Sequence, residues 1–300
     1  MIRKMLLCAF CVSGTCVHAD VSVQRVSYHG WAGCYRISNE FVELVYVPQI
    51  GRTMRFAKIG GPNILWENPR LAGKDSHSIK PGEWVNYGGD KLWPAPQSRW
   101  NWPPDPILDG SPYNVSIAGK FLQITGAASQ KSGVRFTRLI SLDPTGLDVH
   151  IENRMTNTSS QVQELAVWEI AQTDNPDQIL VPLEISKEMP NGWAPFEDHP
   201  FDPAFGSIRD DVLVVRRNPH AGSKLGTGSA KGILTIKRGG LEFSFSAKKA
   251  PGAYADGGRF LQVFTSGDPD KYVELEILGP LTKLKPGQTA TLKTTWSLRK

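Results

Sequence analysis

Apolar and polar residues alternate with a period of two along most of this chain. In the run from Leu147 to Arg154, Leu147, Val149 and Ile151 face one way, while Asp148, His150, Glu152 and Arg154 face the other. Leu241, Phe243, Phe245 and Ala247 oppose Glu242, Ser244, Ser246 and Lys248, and Leu292, Thr294, Trp296 and Leu298 oppose Lys293, Thr295 and Ser297. Such alternation marks half-buried antiparallel strands. It predicts further strands near 34–47, 52–59, 115–126, 133–142, 161–171, 207–217, 231–237, 259–266 and 271–278. Asp143-Pro144-Thr145-Gly146, Arg238-Gly239-Gly240 and Lys285-Pro286-Gly287-Gln288 supply turn chemistry between them. No window carries a 3.6-residue repeat. The pattern predicts an all-β chain, a large antiparallel β-sandwich or barrel. No linker or internal repeat divides residues 20–300, so one domain is expected.

Two stretches break the alternation, 62–113 and 172–206, and both are expected at one end of the sandwich. The first holds the most informative segment. Four of the nine tryptophans, Trp84, Trp93, Trp100 and Trp102, fall within 82–106 among five prolines and the Gly88-Gly89 pair. Proline removes a backbone donor and fixes φ, so this segment is expected to stay out of the sheets. Flat rings beside hydrogen-bonding groups suit a sugar, with an apolar face and many hydroxyls. The structural alternative is that each ring caps the core. Trp93, Trp100 and Trp102 are therefore candidate ligand contacts, with Arg52, Tyr87, Asp90, Lys91, Gln97 and Trp168. Asp90 and Lys91 follow two glycines, where backbone can approach a ligand closely. Gly222–Gly232 reads as a mobile loop, with Lys224 a further contact.

Arg3 and Lys4, the apolar run Met5–Val17 and the small residues Val17 and Ala19 predict a signal peptide over 1–19, and export to the periplasm or medium. The run is too short for a membrane span. Cleavage would remove Cys8, Cys11 and Cys16, leaving Cys34 as a buried small hydrophobe and no intramolecular disulfide. It would also take Arg3 and Lys4, lowering the net charge from +5 to +3. Without a dense Lys/Arg run, nucleic-acid binding is not expected. The histidines are scattered without ligand spacing, so no metal or other cofactor is expected. The acidic stretch Glu197–Asp202 is a weak calcium candidate.

Glu274 and Glu276 share a strand face with Tyr272, opposite Val273, Leu275 and Ile277. Residues two apart on a strand lie about 6.6 Å apart, so the carboxylates stand side by side and one is pushed toward neutral pH. That suits a proton-transfer group. A glycosidase pair must flank the scissile bond, which neighbours on one strand do poorly. The structural alternative is a solvated strand face. Glu169 puts a charge on the same face as Leu165 and Val167, so it needs a buried partner or ligand unless the strand ends there.

Three motifs carry a resemblance over nearly all of residues 20–300: Gly60-Gly61-Pro62-Asn63-Ile64-Leu65-Trp66-Glu67, the run from Tyr87 to Gln97, and Tyr272–Pro280 leading into Leu284–Gly287. Together they resemble a family of uncharacterised bacterial proteins, domain of unknown function 4380, whose fold is similar to that of galactose mutarotase and other aldose epimerases. The resemblance implies a galactose mutarotase-like supersandwich and a mono- or oligosaccharide ligand. It also implies Glu276 as general base, in a Leu275-Glu276 context like that of a mutarotase. The mutarotase acid histidine has no counterpart, because the corresponding region reads Leu165-Ala166-Val167-Trp168-Glu169. Tyr87 stands where a sugar-binding histidine precedes a Gly-Gly pair. Two readings result: a sugar epimerase-like enzyme with Glu276, Glu274 and Glu169 as candidate catalytic residues, or a non-catalytic carbohydrate-binding module or scaffold.

Overall fold

The computed structural model describes residues 21–80, 83–100 and 102–300; the expected signal peptide lies outside them. Twenty-one strands make up the fold: β1 (Ser22–Tyr28), β2 (Trp31–Ser38), β3 (Val42–Val47), β4 (Arg52–Lys58), β5 (Asp90–Ala95), β6 (Asn114–Ala118), β7 (Phe121–Thr125), β8 (Val134–Leu142), β9 (Asp148–Asn157), β10 (Gln163–Asp174), β11 (Gln178–Pro182), β12 (Ala194–Pro195), β13 (Gly206–Arg209), β14 (Val212–Val215), β15 (Ser223–Thr227), β16 (Ile233–Arg238), β17 (Leu241–Ser246), β18 (Leu261–Thr265), β19 (Tyr272–Leu278), β20 (Thr282–Leu284) and β21 (Thr289–Arg299). A single four-residue turn, Ala255–Gly258, is the α-helical element among the described residues, with left-handed backbone at Asp256 and Gly257. No helix among the described residues is long and apolar enough to cross a membrane.

The strands form three antiparallel sheets. The first runs β1-β2-β3-β4; the second runs β12-β15-β18-β19-β10, with β20 continuing beside the start of β10 and β5 on the other side of β10. The third has ten strands, in the order β13-β14-β11-β16-β17-β21-β9-β8-β7-β6. Its inner face covers both smaller sheets. Trp296 on β21 packs against Phe56 on β4, and Arg138 on β8 meets Glu169 on β10. The alternating apolar positions point into this core: Val149 and Ile151, Phe243 and Phe245, Leu292 and Trp296 are all buried. The large sandwich is as expected.

Several expected strands divide where local turn chemistry allows. The run 34–47 is two strands, because the Asn39 side chain accepts hydrogen bonds from the Phe41 and Val42 amides, both at 2.8 Å, and turns the chain. The runs 115–126 and 207–217 are likewise hairpins, β6–β7 and β13–β14. Between β16 and β17, Gly239 and Gly240 take φ of 54° and 80°, the positive pair a two-residue hairpin needs.

Three expectations are corrected. The proline-rich segment does enter a sheet: β5 contains Pro94, opposite Val167 of β10. Proline is tolerated there because β5 is an edge strand whose outer side needs no ladder bond. The glycine-rich stretch 222–232 is not a mobile loop, since it contains β15, paired with β18 through Ser223↔Thr265 to Thr227↔Leu261. The Gly88-Gly89 pair brings the backbone close to the protein itself. A Cβ at Gly88 would lie 2.2 Å from the Trp66 carbonyl oxygen, and one at Gly89 2.3 Å from that of Thr53. Cys34 is fully buried, and burial pushes its thiol up to about 11.

Candidate functional site

Strand parity sorts the candidate residues. On β10, Leu165, Val167, Glu169 and Ala171 face the ten-stranded sheet, while Trp168, Ile170 and Gln172 face away. The register puts Gln172 opposite Glu274, Ile170 opposite Glu276 and Lys91, and Trp168 opposite Trp93. Gln262 lies opposite Glu276, and Phe264 opposite both Glu274 and Lys224. Five strands thus project one polar and aromatic set from the outer face of the second sheet. Over that face lies a cleft of about 690 Å³. Its walls come from both insertions: Trp84, Gln97, Trp100 and Trp102 from the first, and Phe196, Asp198 and His199 from the second. The insertions therefore meet over a sheet face, not at an end of the sandwich.

Glu276 lies beneath this cleft and is fully buried. Its Oε2 accepts hydrogen bonds from Lys224 Nζ and Trp168 Nε1, both at 2.9 Å. Its Oε1 is buried without a partner among the described residues. Burial pushes the carboxyl up from 4.5 to about 7; the neighbouring Glu274 adds to the rise, and Lys224 and Lys91 oppose it. Glu274 is also buried, and its Oε1 accepts from Lys91 Nζ at 3.0 Å and Gln172 Nε2 at 2.8 Å. A solvated strand face is thereby excluded for both glutamates. Each lysine also lies over an indole, Lys91 at 4.1 Å from the Trp93 ring centre and Lys224 at 4.6 Å from that of Trp168. Ammonium groups held between a carboxylate and a ring face have two attractions fixing them. Gln172 Oε1, Gln262 Oε1 and Trp93 Nε1 are likewise buried and unpartnered among the described residues. Buried polar groups are normally paired, so these atoms mark unsatisfied positions under the cleft floor and in the Trp93 wall.

The tryptophans divide between wall and rim. Trp93 is buried and packs edge-to-face with Trp100, Trp102 and Trp168 at 5.6, 6.3 and 5.3 Å. It stiffens the wall. Trp102 is 55 % exposed and meets Trp84 edge-on at 4.8 Å, so it offers a ring face to an incoming ligand.

Of the expected residues, Lys91, Trp93, Gln97, Trp100, Trp102, Trp168, Lys224 and Glu274 line the cleft, and Glu276 is tied to two of them. Four stand elsewhere. Glu169 faces the sandwich interior, where it pairs with Arg138 at 3.1 Å and accepts hydrogen bonds from Asn153 and Thr294. Asp90 meets the same guanidinium nitrogen, Arg138 Nη2, at 2.5 Å, and accepts from the Thr53 amide at 2.8 Å. Burial pushes Glu169 up to about 7 against the pull of Arg138. Arg52 is buried against Asp109 and the Gly88 carbonyl oxygen, and Tyr87 is buried beneath a separate cavity. The first two link the layers of the sandwich, and none of the four lines the cleft. Sequence reasoning passed over His199, Phe196, Asp256 and Phe264, which do. His199 had one signal, its place in the acidic Glu197–Asp202 stretch; in the fold its Nδ1 lies 3.3 Å from Asp198. Asp202 caps the short turn 203–205 instead, through the Ala204 amide at 2.9 Å. Among the described residues no group of three or more His, Cys, Asp or Glu side chains is arranged to hold a metal ion.

No family model and no curated protein matches the chain by sequence. Solved structures do match its fold. A galactose mutarotase-like protein from Clostridium acetobutylicum superposes with a TM-score of 0.60 at 12 % identity, over 94 % of this chain and 99 % of that one. The fold is galactose mutarotase-like. A second such protein, from Lactobacillus casei, matches at 0.57 and 10 % identity, over 89 % of this chain and 100 % of its own. A TPR-domain containing protein from Parabacteroides distasonis matches at 0.60 and 14 % identity over 88 % of this chain, which spans about half of its length (46 %). At these identities the likeness concerns the fold alone.

Proposed function

We propose that this chain is a carbohydrate-active protein that binds a sugar in the cleft and uses Glu276 to exchange a proton with it. One observation carries the reading: a buried carboxylate whose Oε2 is held by Lys224 and Trp168 while Oε1 has no partner among the described residues, poised near pH 7. A base whose pKa lies near the working pH has both forms available for proton exchange. In a mutarotase-like reaction, Glu276 takes the proton of the anomeric hydroxyl as the bond from C1 to the ring oxygen breaks. A donor across the cleft protonates the ring oxygen, giving the open-chain aldehyde, and reclosure on the other face returns both protons. His199 is the histidine lining this cleft, and we assign it the donor role. The Leu275-Glu276 context, which resembles that of a mutarotase base, supports this assignment of Glu276, and export through residues 1–19 would make the site periplasmic or secreted.

A second reading, a binding module without turnover, is favoured by Trp168. It occupies the stretch where a mutarotase carries its acid histidine, and its indole already donates to Glu276. Exchange NMR at the anomeric carbon, over hexoses, uronic acids and their oligomers, separates the two. The enzyme reading expects Glu276→Gln to keep affinity within a few-fold and lose roughly 10²-fold or more in turnover. Wild-type binding with no exchange for any sugar that binds would leave the module.

A further inference from the structure

A second cavity, of about 360 Å³, adjoins the cleft, and Trp93 and Trp100 line both. The partition is rigid. Trp100 donates its indole N–H to the Pro94 carbonyl oxygen at 2.8 Å and packs edge-on against Trp93. The chamber is not a packing defect lined by hydrocarbon alone, because Arg99, Lys131, Ser132 and Gln163 also line it. Two polar atoms of its lining residues, Ser132 Oγ and Trp93 Nε1, are buried and unpartnered among the described residues. Both can donate.

The charges of the chamber are uneven. Asp105 also lines it, but its carboxylate is occupied by the Ile107 amide and the Ser129 hydroxyl. Arg99 reaches Glu164 only at 3.9 Å, with both side chains about half exposed. Such a pair is worth little and re-partners easily. Lys131 is exposed and forms no ion pair among the described residues. Two cations at the rim, two unused donors in the wall and the Trp100 ring suit a ring-shaped polyol bearing an anionic group.

We propose that the chamber is a second sugar subsite, taking an acidic residue of an oligosaccharide whose neighbouring residue occupies the cleft above Glu276. This rests on the sugar-binding reading of the cleft. It makes the substrate a charged glycan spanning the Trp93–Trp100 partition, with Arg99 and Lys131 reading a carboxylate or a sulfate ester.

The test is a titration with digalacturonate, its dimethyl ester, a sulfated galactose disaccharide and galactose, followed by calorimetry and by the indole N–H signals of Trp93, Trp100 and Trp168. The acidic disaccharide binds at least 10-fold tighter than its neutral ester at low salt. That preference falls as salt rises, and the Arg99→Ala, Lys131→Ala double variant removes it while galactose affinity stays within twofold. Both replaced side chains are exposed, so the variant folds; Lys131→Glu, expected to invert the preference, provides a second check. Whichever of the carboxylated and sulfated disaccharides binds tighter identifies the anion. Equal binding of acid and ester, or a preference that survives the double variant, overturns the subsite. If galactose still perturbs Trp168 in that case, the cleft reading stands and only the chamber fails. An acid preference that depends on Arg99 and Lys131 without any change at Trp168 overturns the cleft reading, and with it the spanning glycan.

Discussion

At the scale of single residues, two buried carboxyls hold protons that the unfolded chain gives up. Glu276 and Glu169 both rise from 4.5 to about 7, chiefly through burial. Between those values the native state binds more protons than the unfolded one, so each contributes stability that is complete below about pH 4.5 and lost as pH rises toward 7. The free energy of unfolding should therefore fall across this window, by at most about 1.4 kcal/mol per pH unit for each group. Glu276→Gln should flatten the slope by one group's share. Denaturant unfolding of wild type and variant at half-unit steps from pH 4.5 to 7.5 measures this, and parallel slopes would show that Glu276 titrates normally. Aromatic residues of the same segment should part company. Trp102→Ala removes an exposed ring and should weaken sugar binding with little change in melting temperature. Trp93→Ala empties a buried site and should cost about 3–5 kcal/mol. Paired melting and binding curves check both, and equal loss of stability would make Trp102 a core plug.

Among the elements, β5, β10 and β19 decide what sequence could reveal. The alternation of β19 was legible: Val273, Leu275 and Ile277 are buried against the core as their spacing required. The burial of Glu274 and Glu276 on its other face was not legible, because the cover comes from Trp84 to Trp102 and from Phe196 to His199, far away in sequence. Glu169 read correctly as a charge on the apolar face. Its partner Arg138 sits on another sheet, so a ligand and a buried ion pair could not be told apart from β10 alone. Pro94 hid β5, since proline argues against a strand except at an edge, and edges exist only once a sheet is assembled. Gly88 was legible as a close approach but not as to what. With φ of 93° and the Trp66 carbonyl oxygen in the way of a side chain, Gly88→Ala should destabilise by ~2 kcal/mol or more. Replacing the Arg138 guanidinium, as in Arg138→Met, should cost about 3–5 kcal/mol, because it leaves Asp90 and Glu169 buried without their cation. Chemical denaturation measures both; a neutral Arg138→Met would mean that this cation does not hold the layers together.

At the scale of the molecule, the ten-stranded sheet supplies the back and the second sheet the floor of the cleft. Inward positions of β10 and β5 are devoted to cohesion, through Glu169, Asp90 and Arg138, and outward positions to the cleft, through Trp168, Gln172, Lys91 and Trp93. Two insertions of unrelated sequence close over that face, and beside Lys91 and Lys224 they cover buried polar atoms that have no partner among the described residues. A sugar would supply what they lack. The most direct measurement is a crystal structure of the protein soaked with the mono- and oligosaccharides that bind in solution. The account predicts a sugar ring in the cleft, with a hydroxyl about 2.6–3.0 Å from Glu276 Oε1 and the ring face against a tryptophan. A sugar bound elsewhere with the cleft empty, or one in the cleft that leaves Glu276 Oε1 untouched, would contradict it.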